Sequence, residues 1–278
     1  MPSICILTDS SAYHTRTTFN GSAAVYTLPL TVAAPFAVAA PKEWATRITT
    51  SPLEVPSVTA FRQMFLRLAQ HYQEAIVILS ARPFYRAAYE NAQNAALQSG
   101  HRMKIHIFDS QTIADGLGVF VRAAAQEVEK GLPSAEILRN LQTLRERVYT
   151  LFCTPNLSYL AALGGLDPAQ AQAGEILGIL PAFFIEQERL VSVQKINGTR
   201  AALELFTEFL NEFANPRQVI LLQGSEPERV EMLKVVERLQ SLCAKTTIFT
   251  QRMLTPLLMA LLGPQCFGII LVDSKPTV

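Results

Sequence analysis

The sequence predicts an α/β protein of two domains, with a mainly parallel sheet in the first domain and a mixed sheet in the second. Short apolar runs alternate with amphipathic segments through both halves of the chain, a pattern typical of α/β folds. The 278 residues are many for one compact core and sufficient for two. A hairpin predicted in the second half requires antiparallel strands there. We place the domains at residues 1–152 and 153–278.

Apolar runs predict the strands of the first half, at residues 4–7, 75–79, 104–108 and 148–153. Large apolar side chains at helical spacing predict helices at residues 58–72, 85–97 and 113–130, and a further helix after Pro133. The first strand ends at the polar run Thr8-Asp9-Ser10-Ser11. Small polar residues there are typical of the carboxyl edge of a parallel sheet, where loops contact ligands.

Strands in the second half are predicted at residues 176–185, 190–195, 218–222, 246–249 and 267–272. Helices are predicted to begin near residues 199, 227 and 256, and residues 166–175 are predicted to form a connection. Thr154 and Pro155 are predicted to begin one more helix, because threonine can cap free amides and proline at the first position loses no needed hydrogen bond. Gly164 and Gly165 are predicted to end that helix.

The composition is unusually apolar, with 49% hydrophobic and 17% charged residues. It has two interpretations: a core rich in alanine and leucine, or extra apolar side chains that line an internal ligand tunnel. The net charge is +1 and the basic residues are scattered, which argues against a nucleic-acid partner. The longest weakly charged stretch, residues 21–41, is interrupted by prolines, so we expect no stable insertion into a membrane.

The cysteine pattern and the first residues of the sequence indicate the cellular compartment of the protein. Four cysteines stand far apart without a CxxC pair, which predicts reduced thiols in a reducing environment. The first residues have no basic region before an apolar run, so a signal peptide is not expected. Together these features predict a cytoplasmic protein.

Nucleotide, metal and hydrolase motifs are missing from the sequence. It contains no GxGxxG, GxxxxGK[ST], HExxH or GxSxG pattern, so we expect no cofactor and no metal site. Asp9 and Asp109 each end a predicted strand. The two carboxylates have two interpretations: a catalytic or metal-binding pair, or side chains that each cap the turn that follows.

Two loops offer donors for an anionic ligand such as a carboxylate. The loop at residues 47–57 is rich in hydroxyls, and the turn after the strand at residues 75–79 carries a serine and two arginines. Both loops lie at predicted strand-to-helix junctions, where the amino ends of helices favour anions. The alternatives are ordinary turn chemistry for the hydroxyls and solvated surface for the arginines. The candidate carboxylate-binding residues are Thr49, Thr50, Ser51, Ser80, Arg82 and Arg86.

Three runs carry a resemblance to a known family. They are IFDSQTIADGLG at residues 107–118, SYLAALGG at residues 158–165 and LGILPAFF…VQKINGTRAALELF at residues 177–206. In order and spacing they resemble the DegV family of bacterial lipid-carrier proteins. The resemblance implies two α/β domains that hold one long-chain fatty acid between them. It implies a carrier rather than an enzyme, and a fatty-acid kinase subunit as the partner that receives the acid.

The resemblance also implies roles for particular residues. In the family, a T-S-Q-P-S loop and the serine of an S-S-x-x-S-G-T-Y turn hold the carboxylate. By similarity, residues 49–51 and Ser80 lie at the head group, and Arg86, or Arg82 on a gapless alignment, stands where the family has a serine. A set of apolar residues has two interpretations, lining of the acyl tunnel or packing in the core. These residues are Phe183, Phe184, Leu257, Leu258 and Phe267.

The chain departs from the family pattern at two positions linked to phosphoryl transfer. Leu166 stands in place of the arginine of G-G-R, and Leu261 in place of the histidine of H-x-G-P-G. Leucine cannot stabilise a phosphate. Two other classes of function are therefore kept: an enzyme of phosphoryl or acyl transfer that uses Asp9 and Asp109, and a degenerate family member that acts as a protein-interaction module.

Overall fold

A computed structural model of the chain describes residues 3–12, 21–32, 53–186, 188–196, 198–214, 216–224 and 229–274. The chain separates into two compact units. Residues 54–145 belong to the first unit, and the residues from Glu146 onward belong to the second. The predicted domain boundary lies a few residues later and stays a prediction. None of the described helices is long and apolar enough to cross a membrane.

The first unit is built on a parallel sheet. The strands up to residue 109 are β1 (Ile4–Asp9), β2 (Val25–Leu28), β3 (Thr31–Val32), β4 (Leu53–Glu54), β5 (Glu74–Leu79) and β6 (Lys104–Asp109). Four of them form a sheet in the order β2-β1-β5-β6, in which every neighbouring pair is parallel. The predicted parallel sheet is thereby confirmed. The short strands β3 and β4 pair with each other in a separate sheet.

The helices of the first unit are α1 (Val58–Leu68), α2 (Arg82–Gln98), α3 (Asp115–Glu129) and α4 (Ser134–Arg145). Helix α1 begins where the Oγ of Ser57 accepts a hydrogen bond from the Ala60 amide at 3.2 Å. Helix α2 begins at Arg82, three residues before the predicted start at Tyr85. Tyr85 instead marks a kink inside the helix, with φ −130° and ψ 31°.

The second unit contains a mixed sheet, as predicted. Its strands are β7 (Val148–Cys153), β8 (Leu180–Glu186), β9 (Arg189–Ile196), β10 (Pro216–Gln223), β11 (Ile248–Met253) and β12 (Phe267–Asp273). They lie in the order β11-β10-β12-β7-β8-β9. Strands β10 and β11 are parallel, the other neighbouring pairs are antiparallel, and β8 and β9 form the predicted hairpin.

The helices of the second unit correct two predictions. They are α5 (Leu157–Ala162), α6 (Pro168–Ile176), α7 (Gly198–Asn211), α8 (Arg229–Leu242) and α9 (Pro256–Leu262). Residues 166–175, predicted as a connection, are mostly helix α6, and the strand predicted from residue 176 begins at Leu180. Helix α6 buries little besides Ala171 and Gly174, so its sequence lacks the large apolar residues by which helical periodicity is recognised.

Helix α5 begins later than the sequence suggests. The predicted cap Thr154 lies outside the helix, which starts at Leu157. The Thr154 hydroxyl donates to the Leu262 carbonyl at 2.7 Å and accepts from the Asn156 amide at 3.1 Å, so it ties the end of β7 to the end of α9. Gly164 follows the helix with φ +76°, which confirms the predicted left-handed stop.

A partly buried carboxylate joins the first sheet to α4. Oε2 of Glu74 lies 3.1 Å from Nε2 of His106 and 3.8 Å from Nζ of Lys104, and it accepts a hydrogen bond from the Ser134 hydroxyl. Burial raises the pKa of Glu74, but the hydrogen bonds from Ser134 and His106 and the charge of Lys104 outweigh it and lower the pKa below its ordinary 4.5.

We expect Glu74→Gln to reduce the free energy of unfolding by about 1 kcal/mol near neutral pH. A carboxylate whose folded pKa is lowered stabilises the fold above its unfolded pKa, here near 4.5, and loses that contribution as the pH falls through the lowered value. Urea unfolding of both proteins at about pH 5.5 and about pH 3 measures this dependence. A difference between the two proteins that grows at about pH 3 contradicts the assignment.

Candidate functional site

A group of polar side chains gathers at the carboxyl edge of the first sheet. Asp9 ends β1, Ser80 follows β5 and Asp109 ends β6. Because β1, β5 and β6 are parallel neighbours, their carboxyl ends meet at one edge. We call the following set the strand-end cluster: Asp9, Ser11, Ser80, Tyr89 and Asp109. All five side chains are buried.

Asp9 organises one half of the strand-end cluster. Its Oδ1 accepts hydrogen bonds from the amide of Ser11 at 2.9 Å and from the Ser11 hydroxyl at 2.5 Å, and its Oδ2 accepts from the Ser80 amide at 2.9 Å. The hydroxyls of Ser11 and Ser80 lie 2.6 Å apart. Burial raises the pKa of Asp9 above its ordinary 3.8, and the hydrogen bonds from both serines oppose that rise.

Asp109 and Tyr89 form the other half of the cluster. Oδ1 of Asp109 accepts from the Gln111 amide at 2.9 Å and from the Tyr89 hydroxyl at 3.1 Å. The Tyr89 hydroxyl also lies 2.8 Å from the Ser80 carbonyl oxygen. Each aspartate thus caps the amide two residues ahead of it, which confirms the turn-capping interpretation of the two carboxylates.

The two candidate arginines occupy different environments on α2. The guanidinium carbon of Arg82 lies 4.8 Å from the centre of the Tyr89 ring, and its Nε is 3.9 Å from Oδ2 of Asp109. The Arg82 side chain keeps 33% of its surface exposed. Arg86 is exposed, one turn further along the helix. The structure therefore brings Arg82, and not Arg86, to the strand-end cluster.

The run at residues 107–118 forms the end of β6, the loop that follows it and the start of α3, and its sequence suits the conformation of that loop. Gln111 and Ala114 have positive φ angles of 54° and 55°, and the Thr112 carbonyl accepts a hydrogen bond from the Ala81 amide at 2.8 Å. A side chain at Gly116 would place its Cβ 2.2 Å from Oγ1 of Thr112, so glycine fits there without displacing that residue. This packing holds the loop against the start of α2.

The hydroxyl-rich loop, residues 47–57, is described only from residue 53 onward. The predicted head-group residues Thr49, Thr50 and Ser51 lie outside the described residues. The Pro56 carbonyl accepts a hydrogen bond from Nδ2 of Asn91 at 2.9 Å, which anchors the end of the loop to α2. In the described part of the chain, no group of three or more His, Cys, Asp or Glu side chains could hold a metal ion.

A sequence model of the family described as "Uncharacterised protein, DegV family" matches residues 3–274, nearly the whole chain. The chain belongs to the DegV family. A DegV relative from Thermotoga maritima, named fatty acid-binding protein, is 23% identical over 159 residues, which cover 56% of this chain and 54% of that protein. The alignments with the first relatives span between 43% and 63% of those proteins' lengths.

Solved DegV structures share the fold over the full chain. The crystal structure of DegV, a fatty acid binding protein from Bacillus subtilis, matches with a TM-score of 0.81 and 20% identity, covering 99% of this chain and 100% of that one. A DegV family protein from Eubacterium eligens, loaded with heptadecanoic acid, matches with a TM-score of 0.73 and 15% identity, covering 98% and 100%. These likenesses confirm the predicted two-domain DegV-like α/β fold.

The apolar residues predicted to line a DegV acyl tunnel do not share one surface. Phe184 packs against Phe209 with ring centres 5.4 Å apart, and Phe267 against Phe206 at 5.8 Å. Both pairs belong to the core between the mixed sheet and helices α7 and α8. Their burial is therefore explained by partners within the second unit.

Phe183 points to the opposite face of β8 from Phe184, since successive strand residues alternate. There it stacks on Phe152, with ring centres 5.5 Å apart. Leu257 is half-buried and its neighbour Leu258 is fully buried on α9. The lining role of these residues stays a prediction.

Sequence reasoning missed several polar groups at the candidate site. The position of Ser11 could have been recognised from the sequence, because an aspartate at the end of a strand often bonds the residue two positions ahead. Tyr85 and Tyr89 could also have been recognised, since they lie four residues apart on one helix face and combine apolar rings with polar hydroxyls. Their association with the aspartates depends on the packing of α2 against the sheet, which no local pattern encodes.

Proposed function

We propose that this DegV-family chain binds a long-chain fatty acid and holds its carboxylate beside Arg82, at the strand-end cluster. The observation that carries the proposal is the position of Arg82. Its guanidinium lies over the Tyr89 ring at the carboxyl edge of the parallel sheet, where the loops of such folds bind ligands. Relatives named or crystallised as fatty-acid-binding proteins support the class of ligand.

The chemistry of Arg82 suits a carboxylate. A guanidinium has five N–H donors in a planar fork, so it can contact more than one oxygen acceptor at the same time, and Asp109 is one such neighbour here. The Tyr89 ring supports the cation from one side, which reduces the conformational entropy that binding must remove. A charge-assisted bond from arginine is stronger than the neutral bond of a serine hydroxyl.

The acyl chain would supply most of the affinity. Burying each methylene contributes about 0.8 kcal/mol, so a sixteen-carbon chain contributes on the order of 10 kcal/mol before ordering costs. Arg82 then sets the orientation and the preference for an acid. Phosphorylation of the bound acid lies outside the proposal, because Leu166 and Leu261 cannot stabilise phosphoryl charge.

Native mass spectrometry of freshly purified protein, before and after delipidation, tests binding. We expect an added mass that matches a fatty acid, lost on delipidation and regained when hexadecanoic acid is supplied. A bare mass that stays bare after the acid is offered, with no binding in a calorimetric titration, refutes the proposal. That result favours a family member that has kept the fold for protein interaction.

Arg82→Ala should weaken the binding of hexadecanoic acid by about tenfold or more, because it removes a charge-assisted contact worth roughly 1.5–3 kcal/mol. Arg86→Ala is the matched control, since it deletes the same side chain from an exposed position on the same helix. Titration of delipidated protein measures both variants. Equal losses in the two variants, or a loss confined to Arg86→Ala, contradict the assignment of Arg82.

A further inference from the structure

The hydroxyl of Tyr85 is a buried polar group that makes no well-formed hydrogen bond within the described part of the chain. The residue keeps 1% of its surface exposed, yet among the described residues its hydroxyl oxygen meets no donor or acceptor in hydrogen-bonding geometry. Leaving such a group unpaired costs about 1–3 kcal/mol. Tyrosine hydroxyls usually find a partner when buried, so this one points to a group that the described residues do not supply.

The surroundings of this hydroxyl indicate what that group is. Burial raises the pKa of Tyr85 well above its ordinary value, the charge of Asp9 raises it further, and weak donation from the nearby Ser11 and Ser80 hydroxyls, outside regular hydrogen-bonding geometry, opposes both effects. Tyr85 therefore stays protonated and able to donate at neutral pH. The two serine hydroxyls are engaged with Asp9 and with each other.

The backbone of α2 supports the same interpretation. Tyr85 is the non-helical residue inside α2, and its conformation belongs to the sparsely populated region that clusters at ligand sites. The helix begins after Ala81, which has no side chain to cap the first amides. From this kink the Tyr85 side chain reaches the vicinity of Asp9, Ser11 and Ser80 at the carboxyl edge of the sheet.

Resting on the proposed function, we infer that the Tyr85 hydroxyl donates a hydrogen bond to the carboxylate of the bound fatty acid. Tyr85 and Arg82 then contact the head group from the same first turn of α2. A neutral donor and a cation at one carboxylate distinguish an acid from an uncharged amphiphile of the same chain length. Tyr85 is in this sense a residue that determines specificity.

The test uses Tyr85→Phe, which removes the hydroxyl and keeps the ring. We expect the affinity of the delipidated full-length protein for hexadecanoic acid to fall by about tenfold, with a smaller loss for 1-hexadecanol, because a hydrogen bond to a charged group is stronger than a neutral one. The melting temperature of the ligand-free variant should stay the same or rise, since an unpaired hydroxyl is removed.

Tyr159→Phe is the matched control. Tyr159 is also fully buried, and its hydroxyl likewise has no partner within the described residues, but it lies on α5 of the second unit. Its replacement should leave the affinity for the acid unchanged. If wild-type protein binds the acid and Tyr85→Phe binds it equally well, the inference is overturned while the proposed function stands. If wild-type protein binds no acid, both are overturned.

Discussion

Replacing Phe267 with alanine should lower the free energy of unfolding of the ligand-free protein by about 3–5 kcal/mol. Phe267 keeps 7% of its surface exposed on the central strand β12, and its ring meets Phe206 edge to face at 5.8 Å. The deletion leaves a cavity among neighbours that the backbone of a six-stranded sheet holds in place, so collapse recovers little of the lost packing.

Urea unfolding of the delipidated protein, followed by circular dichroism, measures the loss for Phe267→Ala. Phe213→Ala is the control, because Phe213 is half-buried at the margin of the same core and its truncation should cost clearly less. Unchanged stability together with a large loss of fatty-acid affinity would contradict the core assignment. That outcome would place Phe267 on the acyl chain, as one interpretation of the sequence holds.

Alternation of apolar strands and amphipathic helices was enough to predict the fold class, because burial dominates where each element packs. It failed at α6, where alanine and glutamine provide helical propensity without a large apolar stripe. It also failed at the start of α2. Proline at position 83 suits the first turn of a helix, but the aromatic residues around Tyr85 suggested a later beginning.

The candidate site was predictable only in part. The turn after β5 was recognisable because donors follow an apolar strand, and this located Ser80 and Arg82. Phe183 and Phe184 are neighbours on a strand, so alternation directs their side chains to opposite faces of the sheet, and the lining role of either one stays a prediction. The kink at Tyr85 could not be predicted, since it depends on how α2 packs over the edge of the sheet.

Replacing Asp9 with alanine should destabilise the first unit by about 3 kcal/mol. The carboxylate accepts hydrogen bonds from the amides and the hydroxyls of Ser11 and Ser80, and 3% of the residue is exposed to solvent. Alanine leaves these buried donors without their acceptor and water cannot readily replace it. Asp167→Ala is the control, because Asp167 caps α6 through one exposed hydrogen bond whose loss costs about 1 kcal/mol.

The pH dependence of stability shows whether the fold favours the protonated or the charged carboxyl of Asp9. Because burial raises its folded pKa above 3.8, the protonated form stabilises the fold, fully below pH 3.8, and this contribution is lost as the pH rises through the folded value. Asp9→Asn cannot titrate. The stability of wild type relative to Asp9→Asn should therefore be greatest at low pH and decline as the pH rises, in urea unfolding across that range. A relative stability that instead increases with pH would mean that the cluster favours the charged carboxylate, with its hydrogen bonds outweighing desolvation.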